Sequence, residues 1–487
     1  MKTNLRVCCT FALALPFLSV TLTAAPVSAK ALYAAAVLKP LPAPVQTPNA
    51  VRLTDAEQLG KDIFFDRSLS NPPGYACATC HIPQAGFTGP SSLVNKLAGP
   101  VPGVIPGRFG RRKPQAIPYA TFSPEGPQLL TSPEGGTFLG GQFWDGRTPN
   151  TAAQARMPFL DQNEMANTPA GPFPPHAGGY SPLVAKKLRK RPYTVLFNRV
   201  FGRYAQRSTD QEIYDLMTVA IALYEASAEV NPFTSKFDAS IHGTPARHLY
   251  RFTASEENGF DLFFGKAQCS ACHSSAPLDL VSTVTHGKET FTMYCYANIG
   301  LPKNPGNPFY AQTQCDSNPN GCNPLGADFI DYGLGANPNP APDGRRFMHA
   351  QPGDIPQFRG LFKAPSLRDV DLRPHPYFLK SFMHNGVFKS LPEIVHFYNK
   401  RNIATNSVGQ EVAFDLAVGA PPGFTAIFPP PEVLDNVQNA AGLTPDEANA
   451  TVRINGQIGH LELTRQEEAD IVNFLKTLTD GYTSPKP

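Results

Sequence analysis

Three short patterns in this chain have residue types and spacings that can do chemistry. The first, "CATCH", brings together Cys77, Cys80 and His81, and the second, "CSACH", repeats it at Cys269, Cys272 and His273. Two thiols three residues apart followed by an imidazole form the attachment signature of a c-type haem. The thiols make thioethers to the vinyl groups and the imidazole becomes the proximal iron ligand. With 9 cysteines and 11 histidines in 487 residues, random placement gives about 0.004 copies of the pattern, so two copies are a signal. Zinc or a disulfide is the other chemistry open to C-x-x-C, but zinc sites commonly need a second paired knuckle, and neither motif has one nearby. The predicted cofactors are therefore two covalently bound haem c groups, with His81 and His273 as iron ligands.

The third pattern is "QFWDGRTPNTAAQARMPFLDQNEM". It holds Trp144, which is the only tryptophan, together with Gln154, Met157 and Glu164. Splitting peroxide heterolytically requires a group that takes the proton from the iron-bound oxygen and returns it to the leaving oxygen. A glutamate in a water-poor pocket can do this, and a neighbouring glutamine can orient peroxide or water; composition alone would instead leave Glu164 in solvent. A haem with two strong protein ligands moves electrons, whereas one with an open position binds small molecules. No histidine lies between His81 and His176, which tilts the first iron toward an open position.

Local patterns indicate what positions these residues. Thr54 with Glu57 and Thr253 with Glu256 are capping boxes, each opening a short helix that ends in an aromatic pair just before a C-x-x-C-H motif. Cap, helix, aromatic pair and motif thus occur twice, as in a duplicated small cytochrome. Thr464 and Glu467 cap a further amphipathic helix near the C-terminus. Ile213, Leu216, Met217, Ala220, Ile221 and Tyr224 form a helical stripe between the motifs. With 51 prolines and 39 glycines, the expected fold class is mainly α with long loops, built as two cytochrome c-like haem domains. The expected division is a signal peptide over 1–29, a flexible leader over 30–50, a peroxidatic haem domain over 51–240 and an electron-transfer haem domain over 241–487. The segment 318–344 reads as a surface loop.

The N-terminus has Lys2 and Arg6, an apolar run and then "VSA" before Lys30, the pattern of a cleaved secretory signal. The run is too short and too broken by proline to span a membrane. Export and C-x-x-C-H chemistry agree on a periplasmic location. The formal charge of +3 falls to +1 without the signal, which argues against nucleic-acid binding. Of the remaining cysteines, Cys295, Cys315 and Cys322, one disulfide plus a leftover thiol is the simplest count, with the pairing open. His176, His242, His248, His286, His349, His375 and His460 read as ordinary loop or surface residues.

Taken in order, "LGKDIFFDRSLS", "CATCH", "GFTG", "QFWDGR", "NEM", "CSACH", "FKAPSLRDV", "MHNG", "EIVHFYN" and "IVNFLKTLTD" resemble the bacterial di-haem cytochrome c peroxidase and MauG family over nearly all of residues 52–482. In that family a tryptophan lies between the haems, a glutamine follows it by ten positions and a catalytic glutamate by twenty. The resemblance thereby assigns Trp144, Gln154 and Glu164 as catalytic and places Pro158 in the peroxide pocket. Many family peroxidases carry a blocking histidine where this chain has Leu97, so the first iron is expected to be open. The resemblance also puts a second-haem ligand fourteen residues after the histidine of the H-x-G motif, His384. That position is Tyr398, an anionic donor that favours oxidised iron, with Met383, His396 and His384 as competing ligands and a merely packed Tyr398 as the bland reading. The family's inter-domain calcium is disfavoured, because "GRRKPQ" and "LKSFMHNG" replace its ligand contexts.

The resemblance implies a di-haem peroxidase that reduces hydrogen peroxide to water through ferryl or bis-ferryl states, with electrons from a small cytochrome c or cupredoxin. The alternatives are a MauG-like oxidase acting on tryptophan or tyrosine of a partner protein, and a non-catalytic electron-transfer cytochrome. It also raises a homodimer, for which no interface is legible.

Overall fold

The computed structural model describes residues 52–132, 135–171, 179–242, 252–273, 289–313, 322–336, 356–437 and 458–483. The predicted signal peptide and leader, Cys315, His176, His248, His286 and His349 lie outside them. Six helices build the sites: α1 Asp55–Phe64, α2 Thr151–Leu160, α3 Asp210–Glu225, α4 Ala254–Phe264, α5 Leu391–Lys400 and α6 Arg465–Lys476. Shorter helices and three small antiparallel sheets connect them. The strands are β1 Gln128–Ser132, β2 Gly135–Leu139, β3 Tyr296–Ala297, β4 Phe362–Lys363, β5 Ile403–Thr405, β6 Glu411–Ala413 and β7 Thr425–Ala426, paired as β1–β2, β3–β4 and β6–β5–β7.

The helices begin where their polar residues can satisfy free amides. The Thr54 hydroxyl accepts from Glu57 N at 3.3 Å while Glu57 Oε2 accepts from Thr54 N at 2.8 Å. The same reciprocal box forms at Thr253–Glu256 and Thr464–Glu467 as predicted, and also at Thr209–Glu212 and Ser390–Glu393. Every residue of the predicted α3 stripe is buried.

Two helix crossings are built alike. α1 packs on α3 through Gly60, where a Cβ would stand 1.9 Å from the Ala220 carbonyl oxygen; α4 packs on α6 through Gly259, where a Cβ would stand 2.0 Å from the Asp470 carbonyl oxygen. Only a residue without a side chain permits backbones this close. One apolar cluster, from Leu59 to Val230, surrounds the first crossing, and another, from Phe237 to Leu478, the second. Phe474 sits at the centre of the second, edge-on to Phe237, Phe260 and Phe291, each burial contributing roughly 1.5–3 kcal/mol.

The segment read as a surface loop is different where it is described, over 322–336. Asn323, Asp331 and Leu334 are buried, because Asp331 turns inward to meet Arg112. Cys322 is disulfide-bonded to a residue outside the described set, and Cys295 is a buried free thiol.

Candidate functional site

Each C-x-x-C-H motif opens onto a cavity. The one at Cys77, Cys80 and His81 is lined by Trp144, Gln154, Met157, Pro158 and Glu164; the one at Cys269, Cys272 and His273 is lined by Trp144, Met383, His384 and Tyr398. Trp144 belongs to both walls. It is 9% exposed, and its Nε1–H donates to the Lys113 carbonyl at 2.9 Å, which fixes the indole between the cavities.

The two histidines are held in the form an iron ligand requires. His81 Nδ1 lies 2.9 Å from the Phe87 carbonyl oxygen and His273 Nδ1 lies 3.2 Å from that of Phe291. A carbonyl only accepts, so Nδ1 carries the hydrogen and Nε2 keeps its lone pair for a metal. Burial holds both imidazoles down at about 4, hence neutral. Phe87 and Phe291 share a left-handed φ of 52°, so the duplicated motif extends to the backbone that presents the accepting carbonyl. With four free cavity-lining thiols beside these imidazoles, the donor set fits two haem groups.

The duplication also governs the far side of each cavity. An isolated bridge closes the loop around Trp144 (Gln142 to Thr148), and another closes the loop around His384 (Phe382 to Phe388). Phe143 and Met383 have φ of 67° and 66°, and Gly146 and Gly386 have 68° and 73°. A capped helix follows each loop, α2 from Asn150 and α5 from Ser390. Pro158 and Tyr398 therefore occupy the same turn, each eight residues past its cap. The loops are also stitched reciprocally: Lys113 N donates to the His384 carbonyl and Lys363 N to the Trp144 carbonyl, both at 2.8 Å.

Proline has no donor atom to offer iron, whereas tyrosine has one. The Tyr398 hydroxyl makes no hydrogen bond among the described residues, and burial, with Cys272 and Cys269 adding to it, pushes its phenol well up. Met383 and His384 share its cavity. His396 does not, since its Nδ1 is paired with Glu468 Oε1 at 2.9 Å. His384 stacks on Phe362 with centroids 3.5 Å apart and rings 9° from parallel, and its Nε2 has no hydrogen-bond partner among the described residues. Leu97 is 64% exposed and does not line the cavity at His81.

Electrostatics distinguish the first cavity. Burial, reinforced by Asp161 and opposed by Arg147 and Arg111, pushes the Glu164 carboxyl up to about 8. A group poised near neutral pH is what proton transfer in both directions needs. Glu225, which closes α3 and was not singled out in the sequence, lines the same cavity, and burial alone pushes it to about 8. Its only signal was an acid ending an apolar stripe. Between the cavities, Arg112 meets Asp145 at 2.7 Å and Asp331 at 2.6 Å. Burial alone would raise these carboxyls, but the guanidinium outweighs it and holds both well below the carboxylate range. Among the described residues no cluster of three or more His, Cys, Asp or Glu is placed to hold a metal ion, and no helix is long and apolar enough to cross a membrane.

Comparison with known proteins gives one consistent result. The sequence profile of the family described as di-haem cytochrome c peroxidase matches residues 54–246. The chain is 32% identical to the methylamine utilization protein MauG of Paracoccus denitrificans over 434 residues, 88% of this chain and 89% of that one. It is 25% identical to the cytochrome c551 peroxidase of Nitrosomonas europaea, over 85% of this chain and 95% of that one. Among solved structures, the diheme peroxidase BthA of Burkholderia thailandensis superposes with a TM-score of 0.60 at 25% identity, covering 90% of both chains.

Proposed function

Because the chain belongs to the di-haem cytochrome c peroxidase family, which includes MauG, we propose that it is a periplasmic di-haem peroxidase. It reduces hydrogen peroxide to two waters with two electrons and two protons. Two covalent haem c groups sit in two cytochrome c-like domains, attached at Cys77, Cys80 and His81 and at Cys269, Cys272 and His273. A haem held by Cys77, Cys80 and His81 would supply an iron able to bind peroxide and to give it electrons. Glu164 takes the proton from one peroxide oxygen and gives it to the other, and Gln154 orients peroxide or water beside it. Pro158 fills the turn that carries a ligand in the other half and keeps that position open. Tyr398 would offer a haem held by His273 a second ligand, and a phenolate there would stabilise oxidised iron. Trp144 couples the two centres, and a small cytochrome c or cupredoxin returns electrons.

The observation that carries this reading is the shared wall: one indole lines the cavity holding Glu164 and Gln154 and the cavity holding Tyr398. The test is the absorbance and EPR spectrum of the ferric protein before and after one equivalent of peroxide. A mixed high-spin and low-spin resting state that reacts directly supports it. Two low-spin haems, inert until one is reduced, would overturn the open first iron and leave either a peroxidase that needs prior reduction or a plain electron carrier.

A second reading is favoured by the MauG relative's coverage of both chains and by the Tyr398 position. It is a MauG-like oxidase that withdraws electrons from tryptophan or tyrosine of a partner protein. Peroxide turnover that persists with no small redox donor but needs a secreted protein partner would select it.

A further inference from the structure

Lys113, Lys363 and Lys380 are buried, and all three line the cavity at His273. Buried ammonium groups normally sit against carboxylates, because an unpaired charge removed from water is costly. Here each is held by neutral oxygens alone. Lys113 Nζ donates to Thr88 Oγ1 and to the Pro114 carbonyl, and Lys363 Nζ donates to the Gly141 carbonyl. Lys380 Nζ donates to the carbonyls of Ala85, Asp369 and Leu372 at 2.9–3.2 Å. No carboxylate oxygen lies within ion-pair distance of any of them among the described residues. Burial pushes all three down to about 7, with Lys380 adding to the effect on Lys113, and with Asp145 at Lys363 and Asp369 at Lys380 opposing it from beyond ion-pair distance. Of the acids lining the same cavity, Asp331 is taken by Arg112, and burial pushes Asp369 up to about 8 and Glu432 up to about 7, so none is an ion-pair partner of these lysines and the missing anion is assigned to what fills the cavity.

We propose that Lys113 and Lys363 bind the propionate carboxylates of the haem seated on His273 and raise its reduction potential, as positioning residues for electron transfer, with Lys380, whose three N–H donors are already taken by carbonyls, adding only its charge. This rests on the reading of His273 as a haem site. The wall is assembled from both halves. Lys113 comes from the segment before Trp144 and Lys363 from the strand whose Lys363 N–H holds the Trp144 carbonyl, so the second haem's electrostatic environment is completed by the first half. Tyr398 and the lysines then act in opposite senses: the phenolate favours oxidised iron, and nearby cations favour the reduced, less positive state.

The test is spectroelectrochemical titration of purified holoprotein, wild type against Lys113→Met and Lys113→Arg, with the two couples assigned by EPR and haem counted by pyridine haemochrome. Lys113→Met is expected to retain two haems and to shift the oxidised-to-reduced ratio of the His273 haem at least tenfold toward oxidised. That is a fall of about 59 mV for a one-electron couple, larger than any change at the His81 haem, and Lys113→Arg restores it. A His273 couple that moves less than tenfold, or no more than the His81 couple, overturns the proposal. If Lys113→Met fails to accumulate, Lys363→Met, which removes a donor from one carbonyl only, is read by the same criterion. A wild-type haem count other than two would instead refute the di-haem reading.

Discussion

The two cavities are copies of one design that diverge at matched positions. At the loop apex stand Trp144 and His384, and one turn into the following helix stand Gln154 and Ile394. One turn further are Pro158 and Tyr398. The first copy has a residue that cannot ligate, together with a carboxyl held near 8. The second has a residue with a donor atom, Tyr398, and an apolar neighbour, Ile394, in its wall. The lesson is that the proposed separation of reactivity from electron storage needs only an exchange of donors at one turn of a helix while the scaffold around the histidine stays the same.

The sharpest way to break that contrast is to remove the carboxyl. Glu164→Gln should keep both haems and slow the peroxide reaction by about 10²–10⁴-fold, as loss of a general acid–base group does, measured by stopped-flow absorbance. The pH profile gives the sign. Only the ionised carboxyl can accept the first proton, so the wild-type rate should rise with pH and level off above about 8, while the Gln variant should stay flat over that range. A wild-type rate that falls through the same window would remove Glu164 from this role.

The next largest effect concerns the tie between the halves. Arg112→Met leaves Asp331 buried without its bidentate partner at 2.6 Å, and breaking a buried pair in this way costs about 3–5 kcal/mol. Both carboxyls lie below their ordinary range in the fold, so their contribution is present above about pH 4 and is lost as pH falls through the depressed values. The gap between wild type and variant, read from urea midpoints, should therefore narrow on acidification. A constant gap would mean that Arg112 acts by packing on Phe362 rather than by charge.

Exchanging the matched ligand position sharpens the comparison directly. Pro158→His should place an imidazole at the turn that carries Tyr398 in the other copy and slow the peroxide reaction at least about tenfold, with a low-spin EPR signal replacing a high-spin one. An unchanged spectrum would show that the two turns do not present equivalent donors.

How much of this was legible in the sequence follows from how local each signal is. The C-x-x-C-H motifs, the three capping boxes and the α3 stripe all lie within a few turns of chain, where spacing dictates geometry, whereas the fourteen-residue offset to Tyr398 comes from the family resemblance. Asp331 was read as part of a surface loop because its partner, Arg112, is 219 residues away, and no local pattern reports that the segment turns inward. Lys113, Lys363 and Lys380 were visible only as residues within family-like stretches, since their meaning depends on lacking a carboxylate in three dimensions. Glu225 was hidden for the same reason: it becomes a cavity residue only when α3 packs against α1.

The smallest expected effects test whether the two copies are also mechanically alike. Gly60→Ala and Gly259→Ala each put a methyl within about 2 Å of a carbonyl oxygen on the crossing helix, so the helices must separate. Overpacking of this kind costs about 1–3 kcal/mol, read from urea denaturation at constant m. If the crossings are equivalent, the two losses should agree and leave the peroxide reaction within a few-fold of wild type, since neither glycine touches a cavity. A much larger loss at Gly259 would trace to Asp470, whose side chain also takes hydrogen bonds from Ser255 and Asn258 across the same contact. Separating α4 from α6 would break those bonds, whereas Ala220, at the α1–α3 crossing, has no side-chain hydrogen bond to lose.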